Sequence, residues 1–346
     1  MPAEWAPHRA TWLSWPHHEP DWPGKLGPIP WAYAEIVRVI AAHEPVEVLC
    51  HDEGVRASAQ DALAAHAVDA RRVRLHVVPT DRVWLRDSAA TGVVDAAGDV
   101  ALVNWAFNGW AKYDNYAQDL GVGAAMARIT GLRREEPTRS DTGGRLVLEG
   151  GGIEVNGQGV VLVSEEWLLS DTQVRNPGLG RRDYEEAFAT WLGAPQTIWL
   201  GEGCVGDDTH GHVDDIARFV SADTVVLAVE RDPADENHAR SLDNKRRLQA
   251  ASGQPGIGPL RIVELPFPRA VTMRGERLPA SYANFYIGNG FVIVPTFNDP
   301  NDRAALNTLS ELMPDRLVVG IHAVDLVWGL GTLHCLTQQE PAGPSR

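Results

Sequence analysis

One cysteine near the end of the sequence, Cys335, has the surroundings of a catalytic nucleophile. Two glycines, Gly329 and Gly331, loosen the backbone ahead of it, His334 precedes it, and the polar run 337–339 follows it. A cysteine on a glycine-rich turn, with no second cysteine nearby to form a disulfide or share a metal, is a candidate nucleophile. A lone cysteine is more often a small buried hydrophobic side chain, so the choice depends on polar groups elsewhere in the chain.

Three further polar clusters supply the acids and the base that a nucleophilic cysteine needs. Asp87 follows one predicted strand, and Glu149 ends another that glycines interrupt. His212 and Asp214 are two residues apart, so on an extended chain both side chains face the same side. The sequence therefore predicts two carboxylates, a histidine backed by a glutamate, and the Cys335 thiol in one site.

This set of groups suits a reaction on a cation. The N–H pairs of a planar guanidinium match two carboxylates, such as those of Asp87 and Asp214, bidentately. Held in that way, the guanidinium exposes its central carbon to the Cys335 thiolate. His212 then protonates the departing nitrogen and afterwards activates water, which breaks the covalent thiouronium intermediate. The residues therefore predict a hydrolase that breaks a C–N bond of a guanidine.

Each cluster also has a simpler interpretation when it is taken alone. Asp87 is consistent with a surface ion pair, and Glu149 with a turn residue. The run 210–214 reads His-Gly-His-Val-Asp and is similar to an element of zinc hydrolases, although residue 215 is an aspartate where that element has a histidine. A metal-dependent hydrolase on His210, His212 and Asp214 is thus an alternative from a different class. A catalytically silent binding protein is a third, but it would be expected to have lost at least one of the five polar residues.

The composition limits the classes of protein and partner. The chain has 346 residues, of which 44% are hydrophobic and 22% charged, as in an ordinary globular protein. Its formal net charge of -15 argues against nucleic acid as a partner and favours cationic ligands. No stretch approaches the ~20 apolar residues of a membrane span, and the first residues lack the features of a signal peptide. We therefore expect a small cationic guanidine as partner, no nucleic acid and no membrane, and we leave a homodimer open.

The cysteines indicate the compartment. Only three are present, Cys50, Cys204 and Cys335. Such an odd and sparse set argues against a disulfide framework and for a reducing compartment, so we expect a cytoplasmic protein. Cys50 lies in an apolar strand and is assigned to the core. Cys204 lies between glycines, and the sequence leaves open whether its side chain is exposed; no acid or base is assigned to it.

Short strands and helices alternate along the whole sequence. No proline- or serine-rich linker and no change of composition divides it, so we predict one continuous mixed α/β domain over residues 1–346. Apolar spacing predicts helices at 31–43, 55–66, 116–129, 182–191, 234–249 and 303–312. Strands are predicted at 46–50, 73–78, 91–94, 100–103, 146–153, 160–163, 197–200, 216–220, 225–229, 262–265 and 317–321. Gly288-Asn289-Gly290 predicts a hairpin between 284–287 and 291–294. What recurs is a strand with a polar cluster at its end.

Taken together, the clusters closely resemble those of one family. They match the agmatine deiminase family, which also contains the bacterial peptidylarginine deiminases, in order from residue 1 to residue 339. The His-Gly-His-x-Asp motif at 210–214 and the His-Cys-x-Thr-Gln-Gln motif at 334–339 are specific. The other matching motifs are Met1-Pro2-Ala3-Glu4-Trp5, Trp84-x-Arg86-Asp87-Ser88, Phe107-Asn108-Gly109-Trp110, Glu149-Gly150-Gly151 and Asn284-Phe285-Tyr286.

The resemblance implies both the fold and the roles of the site residues. It implies a five-bladed α/β propeller (pentein), a pseudo-fivefold arrangement of short strand–helix modules around a central active site, with no metal and no cofactor. It implies Cys335 as the nucleophile and His212 as the acid and base, with Glu149 orienting His212. Asp87 and Asp214 would bind the guanidinium.

The same resemblance implies agmatine as the leading substrate, with N-carbamoylputrescine and ammonia as products. Trp84, Trp110 and Asp208 adjoin the clusters and are the expected contacts for the rest of the substrate. Residues 167–177 differ from the agmatine-specific pattern, so we expect the far wall of the pocket there. Arginine or peptidylarginine is the alternative substrate, and free arginine needs a cation for its carboxylate, with Arg86 or Arg175 as candidates.

Overall fold

The computed structural model describes residues 1–343 as a mixture of short strands and helices. Its strands are β1 His8–Ser14, β2 Val46–Cys50, β3 Val73–Val77, β4 Thr91–Val94, β5 Val100–Val103, β6 Arg133–Glu135, β7 Glu154–Val155, β8 Val160–Ser164, β9 Gln196–Leu200, β10 Ala217–Ser221, β11 Thr224–Val229, β12 Arg261–Pro266, β13 Thr272–Met273, β14 Glu276–Arg277, β15 Tyr286–Gly288, β16 Phe291–Thr296, β17 Leu317–His322 and β18 Gln338–Pro341. Its α-helices are α1 Ile29–Ala41, α2 Glu53–Ala65, α3 Leu85–Ser88, α4 Val122–Thr130, α5 Glu165–Leu169, α6 Arg181–Ala187, α7 Glu236–Ala251, α8 Asn301–Leu312 and α9 Leu333–Leu336. Most of these elements lie where the sequence predicts them, although α4 begins at Val122 and not at residue 116. No helix in this part of the chain is both long enough and apolar enough to cross a membrane.

Within residues 1–343, four sheets repeat one order of strands. In each, two antiparallel strands are followed by a helical crossover to a third strand, which pairs parallel with the second. These sheets are β4-β5-β6, β7-β8-β9, β10-β11-β12 and β15-β16-β17. The crossover is long because a tight turn cannot join parallel neighbours. A two-stranded ribbon, β13-β14, lies outside this pattern.

A further sheet joins the two ends of the described chain. Its order is β18-β1-β2-β3, and β18 pairs antiparallel with β1, with Thr11 opposite Gln339 and Trp12 opposite Gln338. The pairs β1-β2 and β2-β3 are parallel. Strand β18 therefore takes the place that the first strand holds in each of the four repeated sheets. Together these sheets form the blades of a five-bladed α/β propeller, and the predicted fold class is confirmed.

Crossover helices pack each blade against its neighbour. Helix α7 lies on β11 of its own blade and on β9 of the preceding one, and α8 lies on β17 and β12 in the same way. Their buried positions include Leu248 in α7 and Leu309 in α8. Full burial of a leucine side chain stabilises a fold by ~1.5–3 kcal/mol, so these contacts hold successive blades in a fixed arrangement.

One predicted strand is wrong, at a position that shapes the site. Residues 146–153 do not form a strand: only Glu154–Val155 pairs with β8, and Gly150–Gly152 forms a 3-10 turn. A Cβ atom on Gly151 would lie 2.6 Å from Nδ1 of His212, and one on Gly150 would lie 2.2 Å from the carbonyl oxygen of Arg86. The glycines let the backbone pass close to these groups, where a strand with side chains would not fit.

Candidate active site

The junctions that lead into the first strand of each blade supply one site residue apiece. Asp87, Glu149, Asp214, Asn284 and Cys335 lie two to five residues before β4, β7, β10, β15 and β18, respectively. Equivalent positions in a ring of similar units lie around its centre, so residues distant in sequence meet there. The predicted order, a polar cluster that follows a strand, holds for Asp87 and Asp214, which come after β3 and β9, and each of these clusters directly precedes the first strand of the next blade.

Asp87 lies on the one-turn helix α3, in the junction between β3 and β4. Its Oδ1 accepts the N–H of Gly151 at 2.9 Å, and its Oδ2 accepts Nε1–H of Trp110 at 2.8 Å. The residue is 5% exposed, so the alternative of a surface ion pair is wrong. Burial raises the pKa of Asp87 to about 6, with His212 opposing the rise and Asp214 adding to it.

His212 and Asp214 converge through a turn and not through an extended chain. His212 precedes the 3-10 turn Val213–Asp215, which replaces the predicted extended run. Nδ1 of His212 lies 3.7 Å from Oδ1 of Asp87, and its Nε2 lies 3.7 Å from Oε2 of Glu149. Burial lowers the pKa of His212, but the two carboxylates outweigh burial and raise it to about 9. The imidazole is therefore protonated near neutral pH, as a group that donates a proton in the reaction requires.

Glu149 is held in place by the segment 167–177. Its Oε1 accepts a hydrogen bond from Nε of Arg175 at 3.0 Å, and its Oε2 accepts Nε1–H of Trp167 at 2.7 Å. Burial raises the pKa of Glu149, but Arg175 and His212 outweigh burial and lower it to about 2. The carboxylate is therefore an anion beside His212, and its full burial contradicts the alternative of a simple turn residue.

Asp214 is connected to the N-terminal motif through His334. Nδ1 of His334 lies 2.7 Å from Oδ2 of Asp214, and Nε2 of His334 lies 2.8 Å from Oε2 of Glu4. Glu4 also pairs with Arg218 at 2.8 Å. Burial raises the pKa of Asp214, but the hydrogen bond from His334 and the Coulomb interactions with His334, His212 and Arg218 together outweigh burial and hold it below its ordinary value. The other oxygen of Asp214, Oδ1, is buried with no hydrogen-bond partner among residues 1–343, so the carboxylate keeps an acceptor for a ligand.

Cys335 lies on a second one-turn helix, α9, just after the glycines. Its Sγ lies 3.5 Å from Oδ2 of Asp214 and 3.1 Å from Nδ2 of Asn284. Burial raises the pKa of the thiol well above its ordinary value, and the nearby carboxylates raise it further. Cys50 is buried in the core as predicted, and Cys204, for which exposure was open, is buried as well.

A cavity of about 170 Å³ lies in front of these groups, of which His212, Glu149 and Asp214 do not line it. Asp87 and Cys335 lie in its wall, together with the three residues predicted as further substrate contacts, Trp84, Trp110 and Asp208. The remaining lining residues are Pro20, Asp21, Arg82, Tyr113, Thr209, Gly329, Leu330 and Gly331. The wall is thus rich in aromatic rings and carries carboxylates at both its deep and its outer parts.

The prediction that residues 167–177 form the far wall of the pocket is wrong. The segment contributes nothing to the lining of this cavity. It lies behind Glu149, where Nε of Arg175 and the indole N–H of Trp167 both donate hydrogen bonds to that carboxylate. Its Gln173 side chain donates to the carbonyl oxygens of Trp110 and Asp208 at 3.1 and 3.0 Å. The segment therefore supports the site from outside.

His210 does not join His212 and Asp214 in a metal site. Its Nε2 lies 3.0 Å from Oγ of Ser170, and it lines a separate charged groove of about 830 Å³ that does not include Cys335. In the described part of the chain, no group of three or more histidine, cysteine, aspartate or glutamate side chains could hold a metal ion. The proposed ligand set of the metal-dependent alternative is thus not assembled.

Several contributors to the site escaped prediction: Glu4, Arg175, Asn284 and His334. Glu4 and Asn284 each lie in a motif that carries the family resemblance, and that membership was the available signal. Arg175 was considered only as a cation for a substrate carboxylate, and His334 as the residue before Cys335 and as part of the 334–339 motif. Arg175 meets Glu149 across 26 residues and His334 meets Glu4 across 330 residues, and no local pattern in the sequence names a partner.

The chain is similar to known deiminases over nearly its whole length. The family model of the Porphyromonas-type peptidyl-arginine deiminase matches residues 1–341. The agmatine deiminase of Stutzerimonas stutzeri strain A1501 is 36% identical, over 99% of this chain and 95% of its own length. The solved agmatine deiminase of Enterococcus faecalis has a TM-score of 0.87 and 28% identity, over 99% of this chain and 95% of that one. The agmatine deiminase of C. jejuni, solved with substrate bound, has a TM-score of 0.86 and 28% identity, over 99% of this chain and 96% of that one.

Proposed function

The chain belongs to the Porphyromonas-type peptidyl-arginine deiminase family, and from that premise we propose that it hydrolyses the guanidinium group of agmatine. The products are N-carbamoylputrescine and ammonia, and Cys335 carries a covalent thiouronium intermediate between the two steps. The enzyme is a hydrolase of C–N bonds in linear amidines. Residues 1–346 act as a single catalytic domain, which the pairing of β18 with β1 supports.

One observation carries this proposal: a thiol and a carboxylate line one cavity, and a second carboxylate and a protonated histidine lie directly behind them. Sγ of Cys335 lies 3.5 Å from the carboxylate of Asp214, and the carboxylate of Asp87 lies in the same cavity wall. His212 lies 3.7 Å from Asp87. A planar cation with N–H groups on both sides is the ligand that such a pair of carboxylates favours.

Binding of the guanidinium prepares the thiol for attack. In the free enzyme, burial and the carboxylates hold the pKa of Cys335 high, so the thiol is protonated. A bound guanidinium compensates the charges of Asp87 and Asp214 and adds a positive charge beside the sulfur, which favours the thiolate. The thiol proton passes to solvent as the guanidinium binds, because Asp214, whose Oδ2 lies 3.5 Å from Sγ, has to stay ionised to hold that cation.

Two displacements at the guanidinium carbon complete the reaction. The thiolate of Cys335 forms a C–S bond, and the C–N bond of one terminal nitrogen breaks as His212 donates a proton and ammonia leaves. Water then adds to the same carbon and gives a proton to His212. The C–S bond breaks and the hydroxyl of the adduct loses its proton to solvent, which restores the thiolate and releases the neutral ureido product.

The cavity wall favours a substrate tail without a carboxylate. Arg82 is the cationic side chain in the described lining, and its guanidinium pairs with Asp21 at 2.7 Å, bonds Asn115 at 3.0 Å and lies 4.2 Å from the ring centroid of Tyr113. A substrate carboxylate would have to compete with those contacts. Asp208 lies in the same wall, where it pairs with Lys112 and accepts the hydroxyl of Tyr113 at 2.7 Å, so the tail of the substrate meets this ion pair and aromatic rings.

Neither of the cations that the sequence offered for arginine recognition is available. Arg86 bonds Gln339 at 2.6 Å and the carbonyl oxygen of His334 at 3.2 Å. Arg175 is committed to Glu149. Both guanidinium groups are buried, and neither lines the cavity. This part of the alternative for free arginine is therefore wrong.

Agmatine is expected to be turned over at least about a hundredfold faster than free arginine or an arginine-containing peptide. Burying a carboxylate without a free cation is costly, and sites that leave a polar substrate group unpaired discriminate by ~10⁴-fold in favourable cases. Ammonia release from agmatine, arginine and an N-acylated arginine amide at equal concentration measures the ratio. Equal or faster turnover of arginine or the peptide analogue would reassign the substrate. If none of the guanidines released ammonia, the proposed function would be refuted.

The pH dependence of kcat/KM for agmatine is expected to be bell-shaped. Asp87 must be ionised to hold the guanidinium, and its pKa of about 6 makes activity rise with pH through that value. His212 must carry its proton to donate it, and its pKa of about 9 makes activity fall above that value. Ammonia release assayed from pH 4.5 to 10.5 tests both limbs. A profile that keeps rising through pH 9 would contradict the role of His212 as the acid.

A further inference from the structure

Leu330 holds a backbone conformation that leucine rarely adopts. Its φ and ψ angles are 70° and 19°, in the left-handed region. It follows the 3-10 turn Leu326–Gly329, and its backbone N–H donates to the carbonyl oxygen of Val327 at 2.9 Å. Glycine is the usual residue at such a position after a helical turn, because any Cβ atom is strained there. A strained residue that is nevertheless kept points to a role for its side chain.

The residues on either side of Leu330 are glycines for a different reason. Neither Gly329 nor Gly331 is left-handed. A Cβ atom on Gly329 would lie 2.6 Å from Nε1 of Trp22, and one on Gly331 would lie 2.7 Å from the ring of Trp84. In this run of three, the one position whose backbone conformation favours glycine is therefore the one that carries a side chain.

Leu330 belongs to the wall of the active-site cavity. It lines the cavity together with Trp84 and Cys335, it is half-buried, and it packs on the hydrophobic cluster that contains those two residues. The run 329–331 follows this wall inward from Trp22, since a Cβ atom on its last residue would lie 3.1 Å from Cβ of Cys335. The side chain of Leu330 therefore lies beside the part of the substrate that leads away from the reacting carbon.

We propose that Leu330 is a specificity-determining residue, whose side chain restricts the cavity to guanidines with an unbranched tail. The inference rests on the proposed function, since it requires agmatine to be the substrate that the cavity accepts. The tail of agmatine is a chain of methylene groups, which packs along an apolar side chain. A substituent on the carbon that bears the distal amine, as in arginine, would have to occupy the space of Leu330 in a cavity of about 170 Å³.

This restriction differs from the one that charge imposes. The described lining offers no free cation to the carboxylate of arginine, but that disadvantage does not apply to an arginine residue within a peptide, whose carboxyl group is an amide. Bulk beside the tail excludes both substrates. Leu330 therefore accounts for discrimination against peptides, which the charges of the cavity leave unexplained.

The test substrate is agmatine with a methyl group on the carbon that bears its amine, in the configuration of arginine. This analogue keeps both positive charges of agmatine and has no carboxylate, so it differs in bulk alone. With the wild-type enzyme we expect kcat/KM for the analogue to be about ten- to a hundredfold below that for agmatine, as for one added carbon in a closely fitting pocket. In Leu330→Ala and Leu330→Gly the two substrates should differ by less than about threefold, because the methyl group then has room.

Thermal unfolding of the same two variants tests the strain. Both lack the leucine side chain beyond Cβ, but only the alanine variant keeps a Cβ atom in the left-handed region. Leu330→Gly should therefore have the higher melting temperature of the two. An alanine variant that melts at the same temperature as the glycine variant, or above it, would show that the position is not strained and would overturn the premise of the inference.

Leu312→Ala is the matched control for the loss of bulk. Leu312 is also half-buried and packs on the same hydrophobic cluster, but it is the last residue of α8 and lies outside the cavity lining. This variant should lower the melting temperature and keep the wild-type preference for agmatine over its methylated analogue.

The outcomes separate the inference from the function on which it rests. If Leu330→Ala and Leu330→Gly hydrolyse agmatine and keep the wild-type preference between the two substrates, the role of Leu330 is overturned while the function stands. The same holds if the wild-type enzyme turns over both substrates equally well, a result that needs no variant. If the wild-type enzyme releases no ammonia from agmatine, the proposed function fails and the inference fails with it.

Discussion

Cys335→Ala is expected to abolish turnover of agmatine without unfolding the protein. Cys335 is the cysteine whose sulfur lines the active-site cavity, and removal of a nucleophile costs several orders of magnitude in rate. Asp87 and Asp214 remain in the variant, so agmatine should still bind and raise its melting temperature. Ammonia release and thermal unfolding with and without agmatine measure the two effects.

The other two cysteines supply the controls for this variant. Cys50 and Cys204 are buried away from the cavity lining, and Cys50→Ala and Cys204→Ala should remain active. Retention of more than a few per cent of wild-type activity by Cys335→Ala would rule out the covalent mechanism. Loss of agmatine binding together with activity would mean that the alanine variant is misfolded at the site.

Asp87→Asn and Asp214→Asn are each expected to lower kcat/KM for agmatine by at least about a hundredfold. A charge-assisted hydrogen bond contributes ~1.5–3 kcal/mol, or roughly ten- to a hundredfold. The loss should exceed that range because the guanidinium carbon is then no longer aligned with the sulfur. In Asp87→Asn the new amide also meets two donors, the N–H groups of Gly151 and Trp110.

Asp302→Asn is a matched control for the two carboxylate variants. Like Asp87, Asp302 accepts a backbone N–H and a side-chain donor: its Oδ1 bonds the N–H of Phe297 at 2.9 Å and the hydroxyl of Tyr282 at 2.7 Å. It lies outside the cavity lining, so its variant should lose stability and keep its catalytic efficiency. Wild-type kcat/KM in Asp87→Asn or Asp214→Asn would show that the residue concerned does not bind the guanidinium.

The alternating strands and helices and the reactive residues could be predicted from the sequence because both leave local traces, whereas the five-bladed architecture was implied by the family resemblance. Alternating strands and helices are visible as changes in apolar spacing, and the motifs around Asp87, Glu149, His212 and Cys335 are short and continuous. The hairpin around Gly288-Asn289-Gly290 was equally local, and the structure contains it as β15 and β16. Patterns of this kind need no knowledge of what lies across the molecule.

The connections between blades could not be predicted, since each depends on a partner far away in sequence. His334 and Glu4 are 330 residues apart and meet at 2.8 Å. The segment 167–177 differs from the family pattern, and we expected the far wall of the pocket there, whereas its Arg175 in fact supports Glu149. The strand predicted across the glycines at 150–152 does not form. His212 and Arg86, which come from other junctions, approach this backbone too closely for side chains to fit.

His212 and Asp214 show a correct outcome reached through a wrong geometry. The two-residue spacing predicted convergence along an extended strand, and the structure reaches convergence through a 3-10 turn. Spacing in sequence limits how far apart two side chains can lie, but it does not fix the backbone path between them.

The pairing of β18 with β1 determines when the enzyme can become active during its synthesis. Ribosomes release a chain from its N-terminal end, and domains generally fold in that order. The first blade stays incomplete until the strand that follows Cys335 emerges and pairs with residues 8–12. On the proposed mechanism, the nascent chain therefore presents its carboxylates and His212 before it carries the nucleophile, and we expect that a partly made protein does not attack a guanidine.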